Sequence, residues 1–227
     1  MRCDFSHPGL GFILQPDGSI LLPDGRILPP IAGGGGAPAY DQDAFRGRND
    51  DGSETTATWI AAANTNWTQD IDVNANFRVR FVIQETKGNA PGAQTLILMY
   101  SYKGGAYTQV TTTSSVIRSV LSANFVDGAD CTQQVGVGTF EADNNGMDED
   151  QTITTSAGWA GSEEIEVEFM LQIQVANVVD NDTIALRVYL SGPTALGTYT
   201  NTPTITIQEI VLGGVGGTMM AMMGVGH

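Results

Sequence analysis

The stretch EIEVEFMLQIQV, residues 164–175, constrains the fold more than any other. Ile165, Val167, Phe169, Leu171, Ile173 and Val175 alternate with Glu164, Glu166, Glu168, Met170, Gln172 and Gln174. A period of two sends successive side chains to opposite faces of an extended chain, and a helix cannot gather such a pattern into one apolar stripe. The alternation returns in FRVRFVIQ with Phe77, Val79, Phe81 and Ile83, in TIALRVYL with Ile184, Leu186, Val188 and Leu190, and in TITIQEI with Ile205 and Ile207. We therefore expect Val79, Phe81, Val167, Phe169, Leu171, Leu186 and Val188 to share one core. Only 15% of residues are charged against 41% hydrophobic, and Thr, Val, Ile and 28 glycines are plentiful, which is a β-protein composition.

Turn signals divide these runs. Lys103-Gly104-Gly105 in TLILMYSYKGGAYTQVT predicts a hairpin. Asp180-Asn181-Asp182 is expected to join two long strands in the same way, and VIRSVLS, residues 116–122, reads as another strand. The spacing predicts about seven to nine antiparallel strands in an all-β, two-sheet sandwich or jelly roll with extended N- and C-terminal arms. The connection 123–163 is the least regular part.

The chain divides into an arm and hinge (1–53), a β-sandwich domain (54–211) and a Gly/Met-rich tail (212–227). Residues 1–40 hold eight of the 28 glycines and six of the nine prolines, so no long period survives there. Residues 41–53, DQDAFRGRNDDGS, read as a polar hinge. Within the arm, QPDGSILLPDGRILPP is a tandem repeat of a turn followed by aliphatics. It is too short to bury Ile20, Leu21, Leu22, Ile27 and Leu28 by itself. Laid on another subunit it buries them, by adding a strand to a sheet edge or by filling a groove. These five are the candidate partner-binding residues.

The net charge of −15, with ten basic residues in no cluster, argues against a phosphate-facing surface and hence against nucleic acid. It suits a basic partner or bound cations. No run reaches the ~18 apolar residues that span a bilayer, so no membrane is implied. MRCDFSHPGLGF lacks an apolar signal core, so synthesis in the cytoplasm is expected. Cys3 and Cys131 lie far apart outside any CxxC pattern, and free thiols are expected.

Little points to catalysis. The histidines are His7 and His227, one in each tail, so a nucleophile–histidine pair in the domain is hard to assemble. The sharpest chemical candidate is EADNNGMDED, with Glu141, Asp143, Asn145, Asp148 and Asp150 as oxygen ligands for a hard cation such as Ca2+. It departs from an EF-hand loop at Glu141, where Asp is usual, and at Thr152, where a bidentate Glu is needed. The plainer alternative is an exposed acidic loop. No other cofactor is indicated. Glu164, Glu166 and Glu168 sit about 7 Å apart on one strand face. That spacing suits a glycosidase pair, although a solvated or subunit-facing strand side is the simpler expectation. Trp59, Trp67 and Trp159 are either a sugar-stacking platform or core anchors, and their apolar or small neighbours favour the core.

Several segments together resemble a family of phage-encoded virion proteins common in tailed-phage and prophage sequences. They are FRVRFVIQET, KGGAYTQVTTTSSVIRSV, FVDGADCTQQVGVGTF, GMDEDQ, EIEVEFMLQI and TYTNTPTITI. The resemblance spans residues 54–208, leaves both tails outside and carries no catalytic residues. It implies a β-rich structural component of a virus particle, on head or tail. Joined to the apolar arm, it leads us to expect a head decoration or cementing protein, made in the host cytoplasm and placed in the virion. Its expected partners are the major capsid protein and copies of itself. The alternative is a tail or fibre component that contacts host surface glycans, and a glycan-processing enzyme is the third class.

Overall fold

The computed structural model describes residues 13–15, 19–28, 36–70, 76–124, 126–149, 152–155 and 159–208. The N-terminal segment holds β1 (Ile13–Leu14), β2 (Ile20–Leu21) and β3 (Ile27–Leu28). The domain follows with β4 (Tyr40–Asn49), β5 (Trp67–Asp70), β6 (Asn76–Glu85), β7 (Thr95–Tyr102), β8 (Thr108–Gln109) and β9 (Ile117–Ser119). It continues with β10 (Met147–Asp148), β11 (Thr152–Thr154), β12 (Glu164–Ile173), β13 (Thr183–Leu190), β14 (Thr194–Ala195) and β15 (Thr204–Gln208). The helix among the described residues is a single 3-10 turn, Val175–Asn177.

Two sheets form a sandwich, as the alternation requires. The first has the order β10-β12-β6-β4, with β9 also on β12; the second runs β11-β7-β13-β15-β5, with β8 on β7 and β14 on β13. The inward residues of β6, β12, β7, β13 and β15 form one cluster that contains all seven expected core residues. Phe81 and Phe169 meet edge to face with ring centroids 6.1 Å apart, and each such side chain contributes about 1.5–3 kcal/mol by leaving water. Trp67 and Trp159 belong to this core. The strands are more numerous than expected because short edge patches join the long ones. Two pairings, β10 with β12 and β5 with β15, are parallel, so the sheets are mixed and not purely antiparallel.

Three expectations need correction. Much of the hinge over 41–53 is strand: β4 pairs with β6 from Tyr40 opposite Glu85 to Asn49 opposite Phe77. A bulge between Gln42 and Ala44 breaks its period, which hid the strand in the sequence. Gln42 turns inward and bridges the sheets, donating to the Asn201 carbonyl at 2.7 Å and accepting the Val188 N–H at 2.8 Å. Gly47 is bare because a Cβ there would come within 3.1 Å of the Trp67 ring. Second, Asp180-Asn181-Asp182 is not a hairpin turn, since β12 and β13 lie in different sheets and the turn crosses between them. Third, Val175 leaves the strand for the 3-10 turn. The Lys103-Gly104-Gly105 turn does join two paired strands, β7 and β8, and VIRSVLS contains β9. The tail 212–227 lies outside the described residues.

Candidate functional site

Both faces of β6 and β12 are buried, although an amphipathic strand needs only one. The outer faces carry Arg78 and Arg80 from β6, Glu164, Glu166 and Glu168 from β12, and Arg48 from β4, all almost fully shielded from solvent. The expected solvated glutamate side is therefore wrong: it is a sealed layer of ions. Arg80 donates to Glu168 at 2.6 Å, to Glu166 at 2.8 Å and to the Thr132 carbonyl at 2.7 Å, and also reaches Glu54. Arg48 and Arg78 each stand 3.4 Å from Glu168, and Arg78 donates to Asp50 at 3.0 Å. Buried carboxylates persist only when their charge is paired and their lone pairs are filled. Glu166 meets this with three consecutive backbone N–H donors, Gln134, Val135 and Gly136, at 2.8, 2.6 and 2.8 Å. Glu164 accepts Gly138 N–H at 2.9 Å and the Gln133 amide at 2.7 Å. Burial alone would raise the Glu54 pKa, but the Arg80 guanidinium and the Thr132 donors hold it below the usual carboxylate range. These oxygens are occupied by protein donors and face no open cleft, so the spacing that suits a glycosidase does not build one.

The lid over the layer is the loop 50–66 and the connection 120–149. Trp59, the half-buried tryptophan, belongs to this lid. Its ring lies 4.3 Å from the Arg46 guanidinium carbon and 4.5 Å from that of Arg48, so it caps a pair of cations. Cys131 is a free thiol buried with Met147 and Met170, and burial pushes its pKa up. Cys3 lies outside the described residues.

The acidic loop is part of the same lid, and the described members of the expected metal-ligand set turn to different partners. Asn144 clasps Cys131 through both backbone groups, at 2.9 Å each. Gly146 presses against β12, where a Cβ would fall on the Glu166 carbonyl oxygen. Asp148 is buried, whereas Asp143 is exposed and Glu141 accepts the Asp143 N–H at 2.8 Å. The Asn145 N–H is bonded to Asp130 at 2.8 Å, and Asp150 lies outside the described residues. Among the described residues no group of three or more His, Cys, Asp or Glu is placed to hold a metal ion. The loop is fastened along β12 at Met147 and Asp148, which divides its described oxygen groups between the interior and the surface.

The described residues of the arm include three short strands that its composition does not predict. They pair as a three-stranded antiparallel meander, with Ile13 opposite Leu21 and Ile20 opposite Leu28; the second and third strands come from the repeat and the first precedes it. The second PDG unit makes the turn: Gly25 has φ +82°, and the Asp24 carboxylate accepts the Arg26 N–H at 3.0 Å. Ile20, Leu21 and Leu22 are half-buried, and Ile27 is 61% exposed, as is Ile13 at 62%. The Leu28 side chain lies outside the described residues. Two-residue strands are far too short to be stable alone in water.

A second surface was not anticipated. On the outer face of the second sheet the Arg187 guanidinium carbon lies 4.9 Å from the Tyr107 ring and 4.3 Å from the Tyr199 ring. Tyr189 touches both rings, with centroids 6.0 and 5.9 Å away. Tyr199 is fixed by its hydroxyl, which donates to the Val188 carbonyl at 3.0 Å and accepts the Leu196 N–H at 2.9 Å. The signal available in sequence was the polar side of TIALRVYL, where Arg187 and Tyr189 alternate with core residues. Tyr107 and Tyr199 join them only in three dimensions.

No helix among the described residues is long and apolar enough to cross a membrane. No family model and no curated protein matches the chain. Among solved structures it is similar to a non-cellulosomal cohesin from the hyperthermophilic archaeon Archaeoglobus fulgidus, at 11% identity, with 63% of this chain and 84% of that chain covered and a TM-score of 0.25. So slight a likeness carries no inference about function, and the sandwich assignment rests on the two sheets themselves.

Proposed function

We propose that this protein is a structural component of a tailed-phage virion, a head decoration or cementing protein whose arm grips its neighbours. The observation that carries the reading is a short meander with exposed aliphatics, too small to be stable alone, joined through a Gly-rich segment to a sandwich that is sealed on its ionic face. The resemblance of residues 54–208 to virion proteins supports the setting. Its partners are the major capsid protein and copies of itself, and it is made in the host cytoplasm. Burying each arm aliphatic contributes about 1.5–3 kcal/mol, while ordering each backbone residue costs about 1–2 kcal/mol. One arm therefore binds weakly, and many arms on a lattice bind well. The test is binding to preformed capsids. Changing Ile20, Leu21, Ile27 and Leu28 to Ser, or deleting residues 1–35, should leave a folded domain. Either change should also abolish attachment and any gain in capsid heat resistance. The deletion spares Ala39, whose N–H bonds Glu85 at 3.2 Å. Attachment equal to that of the parent would overturn the proposal.

The tyrosine cluster around Arg187 favours a second reading, a tail or fibre component that holds host surface glycans on stacked rings. Loss of binding to host cells or glycans on Tyr189→Ala, with capsid attachment absent in the parent, would select it.

A further inference from the structure

Six large apolar side chains are exposed among the described residues: Ile13, Ile27, Leu121, Val126, Val137 and Val179. Two belong to the meander and three to the connection that lids the first sheet. Exposure on a fraying loop would mean little, but these three are held outward by bonded backbone. Val137 is 95% exposed, yet Gly136 and Gly138 on either side donate to Glu166 and Glu164 at 2.8 and 2.9 Å. Leu121 precedes Ser122, whose N–H and hydroxyl are tied to Glu149 at 3.1 Å and Asp50 at 2.8 Å. The Val126 carbonyl accepts Ala129 N–H at 3.1 Å. The anchors run from Met170, which accepts Val120 N–H, to Glu164, so the apolar points are spread over about 20 Å along β12.

Charge indicates what this face receives. Residues 1–39 carry Arg2 and Arg26 against Asp4, Asp17 and Asp24, a net of 2 − 3 = −1, so the other residues carry −14 of the total −15. Two domains repel one another, and the nearly neutral arm is the part of one copy that approaches another at least cost. Ala39 is bonded to Glu85 of its own domain, and the seven residues between Leu28 and Gly36 allow a reach of up to about 25 Å when extended.

We infer that the meander of one copy docks through Ile13 and Ile27 on Leu121, Val126 and Val137 of a second copy. This rests on the arm-attachment reading and names the surface that the arm takes on its own kind. Each copy offers one arm and one receiving face, so the contact is heterologous and propagates from copy to copy.

The test uses the full chain and two variants confined to exposed residues, an arm variant (I13S/I27S) and a face variant (L121S/V126S/V137S). Sedimentation is followed over a micromolar concentration series at moderate salt. The parent should associate beyond a dimer, and each variant alone should associate at least tenfold more weakly. An equimolar mixture of the two should stop at a dimer, because one intact arm then meets one intact face. A parent that is monomeric throughout overturns the inference, as does a face variant that associates like the parent or a mixture that stays monomeric. A monomeric parent whose arm resists proteolysis until the face is mutated shows docking within one chain, and also overturns it. Capsid binding separates this inference from the broader reading. If capsid attachment persists with a monomeric parent, the inference alone fails; if self-association persists without capsid attachment, the broader reading alone fails.

Discussion

Replacing Arg80 with Met removes the cation on which the ionic layer converges. Arg80, Glu166 and Glu168 are all fully buried, with Arg80 2.8 Å from Glu166 and 2.6 Å from Glu168. Removing one member of a buried pair typically costs about 3–5 kcal/mol, because the surviving charge is left uncompensated in a poor dielectric. The three broken pairs, with Glu54, Glu166 and Glu168, share a residue and do not add. Glu168 keeps Arg48 and Arg78 at 3.4 Å, and Glu166 keeps its three backbone donors. The expected loss is therefore about 3–5 kcal/mol in all, read from urea unfolding, or a fall in Tm of about 6–20 °C for a chain of this size. The control is Asp24→Asn, which removes the 2.7 Å pair with Arg26 whose side chains are 51% and 75% exposed; it should cost no more than about 1 kcal/mol. An Arg80→Met protein within about 1 kcal/mol of the parent would show that water screens the layer and that its burial argument is wrong.

Glu85 accepts five backbone N–H groups, from Ala39, Lys87, Gly88, Asn89 and Ser162, at 2.6–3.2 Å. Burial alone would raise its pKa, but these donors hold the carboxyl below its ordinary value. Its stabilisation is thus full above the unfolded pKa, about 4.3, and is lost as pH falls through the lower folded value. Glu85→Gln should cost about 2–3 kcal/mol at neutral pH, with parent and variant converging in acid; a deficit independent of pH in unfolding titrations would contradict this. Gly146→Ala drives a Cβ into the Glu166 carbonyl and should cost about 1–3 kcal/mol. Gly36→Ala, with its nearest neighbour at 3.8 Å, should stay within about 0.5 kcal/mol of the parent. Equal thermal stability of these two variants would refute the close packing of the lid on β12.

The apolar half of each alternating run was legible without coordinates. Ile165, Val167, Phe169, Leu171 and Ile173 all enter the core, because a period of two is a local property of extended backbone and only one face of a sheet meets the other sheet. The Lys103-Gly104-Gly105 and Pro23-Asp24-Gly25 turns were legible for the same reason, since their positive φ values are set by neighbouring residues. The polar half was not legible. Glu164, Glu166 and Glu168 look like a solvated side until Arg80 arrives, 88 residues from Glu168 in sequence, with Arg48 a further 32 residues back. Likewise β4 reads as a hinge because its arginines are polar, its period is broken by a bulge, and Gly47 answers a tryptophan twenty residues away. The acidic loop is oxygen-rich in sequence, but Asn144 and Gly146 fasten it along β12, and among the described residues its acids form no group placed to hold a metal ion. Whether an apolar residue leaves water follows from its own chemistry and the local period. A charged residue leaves water only if a counter-charge and enough donors are brought to it, and those come from segments that only the tertiary fold places together.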